Sequence, residues 1–128
     1  MPRVFKALEI EKEEKEIMRD YLDRHMPHVI CPDAVRRGEK FMVKVRMGEE
    51  YPHPDDHDHF ISMLQLWNRE TLMAEARYAA GANGKLPTHF EVDFFIVAPD
   101  VSMNLSAMAV CTKHGLWQSE DKAVKVTD

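Results

Sequence analysis

Cys111-Thr112-Lys113-His114 places a thiol and an imidazole three residues apart. At the end of a strand, the turn between them can aim both side chains at one ion. A second pair, His53 and His59, lies in a short loop that also carries Pro52 and Pro54. His25 stands alone before Met26-Pro27. Imidazole suits iron, copper, zinc and nickel, and thiolate is a soft, electron-rich donor. Each pair is weak evidence by itself, since Cys-x-x-His and histidine-bearing proline loops are common by chance. Their combination in one chain points to a metal centre. Residue types alone leave open iron, zinc or copper, and also a domain that holds no metal. His57, in the same loop, could compete as a ligand and otherwise reads as a surface residue. His28 and His89 read as structural or exposed residues. Cys31 reads as a small buried side chain at a strand end. Trp117, just past the Cys-x-x-His turn, reads as a shield rather than a reactant.

The elements that must position these groups can be sketched from periodicity. Leu8 to Arg24 reads as a helix, with a partial apolar stripe among charges, and His25 closes it. Pro27 and Pro32 then end helical structure, leaving His28-Val29-Ile30 as a short extended piece. Lys40 to Met47 alternates, with Phe41, Val43, Val45 and Met47 on one face and Lys44 and Arg46 on the other, as in a half-buried strand. Tyr51 to His59 is a loop. Phe60 to Trp67 reads as a central strand, with Ile61, Met63 and Trp67 on one face and Phe60, Leu64 and Leu66 on the other. Thr71 to Ala80 is divided: its residues favour helix, its neighbours favour another strand. Phe90 to Val97, Asn104 to Val110 and Ala123 to Val126 complete the set. Short strands at regular spacing predict an all-β sandwich.

Bulk properties narrow the class. A chain of 128 residues with 45% hydrophobic residues suits one packed core. No apolar run is long enough to cross a membrane as a helix, and the charged first residues are unlike a signal peptide, so the cytoplasm is the expected compartment. The net charge is −5 and no basic stripe is present, which argues against a nucleic-acid partner. Glu9 to Glu16 is a mixed-sign cluster that reads as a solvated helix face. Neither cysteine lies in a Cys-x-x-Cys pair, so zinc-ribbon and thioredoxin chemistry find no support. Phosphate-loop and Gly-x-Ser-x-Gly motifs are absent from the sequence.

Three segments together resemble one family. His25-Met26-Pro27, the loop Pro52-His53-Pro54 with His59 six residues after His53, and Cys111-Thr112-Lys113-His114-Gly115-Leu116-Trp117 are similar to the superoxide reductases, also called neelaredoxins, which form the iron domain of desulfoferrodoxin. The stretch from Gly38 through Val43-Lys44-Val45 and Gly48 to Pro54 follows the same pattern, and the Cys-x-x-His-Gly-Leu-Trp segment is the most specific piece. The resemblance implies a seven-stranded immunoglobulin-like β-sandwich with an added N-terminal helix. It divides the chain into a helical extension over 1–24 and an iron-binding domain over 25–128. Without a cysteine-rich iron module, the one-iron form is implied. It implies one non-haem iron, with His25, His53, His59 and His114 as equatorial ligands, Cys111 as axial thiolate, and a sixth position open to superoxide. The activity implied is one-electron reduction of superoxide to hydrogen peroxide. Implied partners are a rubredoxin-like electron donor and further copies of the chain, as a dimer or tetramer. A thiolate opposite the substrate pushes electron density toward it, as in thiolate-ligated haem. Imidazoles bind neutral and cysteine deprotonated, so occupancy should fall in acid.

Two features depart from the family pattern. Where the family has Glu-Lys before the first ligand, this chain has Asp23-Arg24. The resemblance makes these the carboxylate that can reach the oxidised iron and the cation that attracts the anion. Arginine keeps the charge but does not deprotonate, and aspartate is one methylene shorter. Asp55, Asp56 and Asp58 place three carboxylates in the histidine loop, where they would oppose an incoming anion. The alternative function is an iron-binding electron-transfer or sensor protein with weak superoxide reactivity.

Overall fold

The computed structural model describes residues 19–128. Helix α1 (Arg19–His25) is followed by nine strands: β1 (Pro27–Ile30), β2 (Ala34–Arg36), β3 (Lys40–Met47), β4 (Ile61–Asn68), β5 (Thr71–Arg77), β6 (Glu91–Val97), β7 (Met103–Cys111), β8 (Gly115–Gln118) and β9 (Lys122–Thr127). The part of the predicted helix before Arg19, and the Glu9 to Glu16 cluster, lie outside the described residues. One sheet has the order β1-β3-β6; the other runs β2-β9-β7-β4-β5, with β8 also paired to β7. The fold is an all-β sandwich with a short helix at one end.

Alternation builds the core. β3 buries Phe41, Val43, Val45 and Met47 and turns Lys40, Met42, Lys44 and Arg46 outward. From the facing sheet come Leu64, Leu66, Leu105, Ala107, Ala109 and Val124, all at most 1% exposed. Burying such side chains is worth roughly 1.5–3 kcal/mol each for the larger ones, which fixes the strand faces and hence the register.

At three places the structure corrects or completes the reading of the sequence. Ile61 joins Leu64 and Leu66 in the core, instead of sharing a face with Met63 and Trp67. A register shift between Ile61 and Met63 inserts one residue and exchanges the faces. Of the two readings open for Thr71 to Ala80, the strand is the one formed, as β5 over Thr71–Arg77. It pairs with β4 along Met63↔Arg77 to Asn68↔Thr71, and Arg69 makes the tight reversal at φ 52°. Sheet pairing overrides the modest helix preference of its leucine, alanines and glutamate. Finally, the described residues form nine strands, where the resemblance implied seven. β2 has three residues and pairs in parallel with β9, and β8 has four and pairs with β7; neither is long enough to show a period.

Candidate metal centre

Register brings most of the chemistry together. Ile61 pairs with Cys111, so the residues just before β4 and just after β7 share one end of the sandwich. Thr112 latches the two turns: its hydroxyl accepts from Phe60 N–H at 3.1 Å and donates to the Asp58 carbonyl at 3.3 Å. His59 is fixed by a two-way backbone exchange with Asp56. His53 exchanges backbone hydrogen bonds with Thr88 at 2.8 and 3.0 Å. Helix α1 delivers His25 from the other side.

The four imidazoles form a square. Ring centroids of neighbours lie 4.9 Å apart for His25–His53, 4.8 Å for His53–His59, 4.9 Å for His59–His114 and 4.9 Å for His114–His25. Adjacent planes meet at 76–86°, while His25 and His59, on a diagonal 6.3 Å long, are nearly parallel at 22°. The rings are thus arranged as a pinwheel. Cys111 Sγ lies 3.3 Å from His53 Nε2 and 3.7 Å from His114 Nδ1. One donor atom from each of His25, His59, Cys111 and His114 falls within 4.8 Å of all the others. That span is slightly more than twice a metal–ligand bond of roughly 2.0–2.3 Å. His53 stands beside this group of four, joined to it through Cys111 and its two ring neighbours.

Hydrogen bonds set the tautomers. His25 Nδ1–H donates to the Tyr21 carbonyl at 2.6 Å, and His53 Nδ1–H donates to the Pro54 carbonyl at 2.7 Å. Both rings therefore turn the lone pair of Nε2 inward, the arrangement that metal-binding histidines adopt. His59 Nε2 is buried with no hydrogen-bond partner. His114 Nδ1 lies 3.2 Å from His25 Nε2, where two lone pairs would repel unless a proton or a cation lies between them. A buried, unpartnered nitrogen among inward-facing lone pairs is what a soft-to-borderline cation would satisfy, so the residues fit the metal their chemistry suggests.

Electrostatics agree. Burial first, and then the charges of His114, His59 and Arg24, lower the His25 pKa to about 4 against the Tyr21 hydrogen bond. Burial likewise takes His53 to about 3. His59 is lowered by burial, with His114 and Lys113 adding to it and Asp56 and Asp58 opposing. Neutral imidazoles are the ligating form. Burial raises the Cys111 thiol, opposed by the backbone amides of Lys113 and His114 and by the Lys113 charge; the His114 N–H donates to Sγ at 3.3 Å. A bound cation would reverse the rise.

The other sequence candidates fall elsewhere. His57 is exposed. His28 lies on β1, 3.9 Å from Glu49, and His89 Nδ1–H donates to the Met47 carbonyl at 2.9 Å. Cys31 and Cys111 are free thiols. Trp117 is buried and lies flat on His25, 4.9 Å away at 18°, with its Nε1–H donating to the His114 carbonyl, as a shield should. Arg24 is tied to its own helix: Nε–H donates to the Asp20 carbonyl and Nη2 pairs with the Asp20 carboxylate at 3.2 Å. Asp23 accepts from backbone amides of Glu49, Glu50 and Tyr51. Of the three loop carboxylates, Asp55 is turned away from the imidazoles; it is buried and accepts from the Asn83 and Lys85 amides. Tyr21 was not singled out in the sequence. Its carbonyl orients His25 and its ring meets His114 edge-on at 5.1 Å. The i to i+4 spacing of Tyr21 and His25 was the one available signal.

The family model described as Desulfoferrodoxin matches residues 10–120. The chain belongs to the desulfoferrodoxin family. Among desulfoferrodoxin relatives, the neelaredoxin of Megalodesulfovibrio gigas is 32% identical over 117 residues, covering 80% of this chain and 87% of that protein. A solved variant of the superoxide reductase (neelaredoxin) from Ignicoccus hospitalis superposes with a TM-score of 0.70 at 25% identity, over 89% of each chain. The fibronectin(III)-like modules of Clostridium thermocellum CbhA share the sandwich alone, at TM-score 0.53 and 17% identity over 79% of this chain and 94% of that one. The sandwich is therefore common property, and the His/Cys cluster is what this desulfoferrodoxin-family chain adds to it.

Proposed function

We propose that this chain reduces superoxide by one electron to hydrogen peroxide, at a mononuclear iron held by His25, His53, His59, His114 and Cys111. The observation that carries the reading is the pinwheel of four imidazoles with a thiol against it, in a chain of the desulfoferrodoxin family. When bound, the iron supplies the transferable electron and a position for the anion. The chain's own residues do the rest. The Tyr21 and Pro54 carbonyls hold two imidazoles in the ligating tautomer. Trp117 and the sandwich core keep water from the His25 side. The Arg24 charge acts on His25 and His53, and the Lys113 charge on His59 and Cys111, in favour of an anion, while Asp56 and Asp58 act on His59 in the opposite sense. Each turnover consumes one electron and two protons per superoxide. A rubredoxin-like protein would return the electron, and the chain would work as a dimer or tetramer. Two free thiols suit a reducing compartment such as the cytoplasm. The division into a helical extension over 1–24 and an iron-binding domain over 25–128 belongs to the same proposal, with His25 at the junction. Among the described residues no helix is long and apolar enough to cross a membrane.

The test is rapid mixing of the reduced, iron-loaded protein with superoxide. The expected result is oxidation of the metal and one peroxide per superoxide when reductant is present, with no dioxygen released. Failure of superoxide to oxidise the reduced protein, or dioxygen release as in dismutation, defeats the reading. The alternative, an iron-binding electron-transfer or sensor protein with weak superoxide reactivity, draws support from the pairing of Arg24 with Asp20. A large rate gain in Arg24→Lys favours that alternative.

A further inference from the structure

The loop that carries His53 is fastened to the helix that carries His25 through one carboxylate. Asp23 Oδ2 accepts from Tyr51 N–H at 2.8 Å, Glu50 N–H at 3.0 Å and Glu49 N–H at 3.3 Å, and Oδ1 accepts from Glu49 N–H at 3.1 Å. Three consecutive amides converge on one side chain, two residues before His25 and two residues before His53. The backbone closes the same junction. Gly48 N–H donates to the Met26 carbonyl at 2.9 Å, and Met26 N–H donates to the Asp23 carbonyl at 3.1 Å. Gly48 has φ +73°, and a Cβ there would meet the Tyr51 carbonyl at 2.7 Å and the Asp23 carbonyl at 3.1 Å. Glycine is therefore what lets the loop come down onto Asp23.

We infer that Asp23 is a positioning residue, a clamp that sets His53 against His25, and that its carboxylate is not itself available to the ion. This rests on the reading of His25 and His53 as members of one ion-binding set. Gly48 also leaves room for the carboxylate itself: a Cβ there would come to 3.4 Å from Asp23 Oδ2, in contact with it. Charge-assisted hydrogen bonds to backbone amides are among the stronger ones in proteins, and three on one carboxylate rigidify residues that otherwise form an exposed turn.

The experiment uses Asp23→Ala and Asp23→Asn with two readouts independent of superoxide turnover. The first is amide hydrogen exchange at Glu49, Glu50 and Tyr51 in the metal-free chain. Asp23→Ala should speed exchange there by about tenfold or more, the equivalent of losing a hydrogen bond to a charged group, while amides of β7 stay unchanged. The second is cobalt(II) titration, where loss of an orienting residue should weaken binding about 10–100-fold. Asp23→Asn keeps one carbonyl oxygen to place before Tyr51 and Glu50, and should fall between wild type and Asp23→Ala in both. Unchanged exchange at 49–51, or cobalt affinity within about twofold of wild type, overturns the clamp and leaves the metal centre standing. A wild-type chain that binds no cobalt overturns both.

Discussion

Two imidazoles held neutral inside the domain make the metal-free protein sensitive to acid in a window that carboxylates do not share. In the unfolded chain His25 and His53 take up a proton near 6.5; in the folded chain they do so only near 4 and 3. Between those values the unfolded state binds more protons, so stability falls as the pH falls. At pH 5 each group costs about 2 kcal/mol relative to pH 7.5, or about 4 kcal/mol together, a large share of a typical total of roughly 5–15 kcal/mol. His59, also lowered, acts in the same direction. Asp23 loses its contribution only at lower pH: burial raises its pKa, but the Tyr51, Glu49 and Glu50 amides outweigh that and hold it below the usual value of 3.8. The assay is urea unfolding of chelator-treated protein at pH 7.5 and pH 5, followed by tryptophan fluorescence. His53→Gln removes one titrating ring at similar volume, and should cut the pH-dependent loss by about half. A wild-type stability that is flat across this window, or a His53→Gln slope equal to wild type, refutes the argument.

Lys113→Glu places a negative charge beside His59 and Cys111, and should lower the superoxide rate constant several-fold at low ionic strength; stopped-flow traces should show the difference shrinking in about 0.5 M salt, where the screening length is only a few ångströms. Gly48→Ala combines a positive φ with a 2.7 Å contact; chemical denaturation should show a loss of about 2–4 kcal/mol. Cys111→Ser removes the soft donor, so the cobalt-loaded protein should lose its sulfur-to-metal absorption band and bind the metal at least about tenfold more weakly.

The grouping of His25, His59, Cys111 and His114 was legible because few residue types bind transition metals, and each of these stood at the end of a readable element. The strands were legible where one face is buried, as in β3. What lay hidden depends on three-dimensional pairing. The bulge after Ile61 reassigns a face with no local mark in the sequence. β5 has helix-forming residues and is a strand because β4 offers it an edge. The hydrogen bonds of Asp23 were hidden too. Its position before His25 gave no sign of the amides it satisfies, which lie 26 to 28 residues away along the chain. Asp55 taught the same lesson, since only the fold shows that it faces the turn at Asn83 to Lys85.

His25 and His53 are fully enclosed and pinned to carbonyls, whereas His59 and His114 are only partly buried. The two halves of the square therefore differ in their access to solvent. An ion held as proposed above would leave by the rim pair, while the interior pair would keep its mould for the next. Exchange of metals would then be governed by two surface rings, and the buried half would act as a memory of the geometry between one occupant and the next.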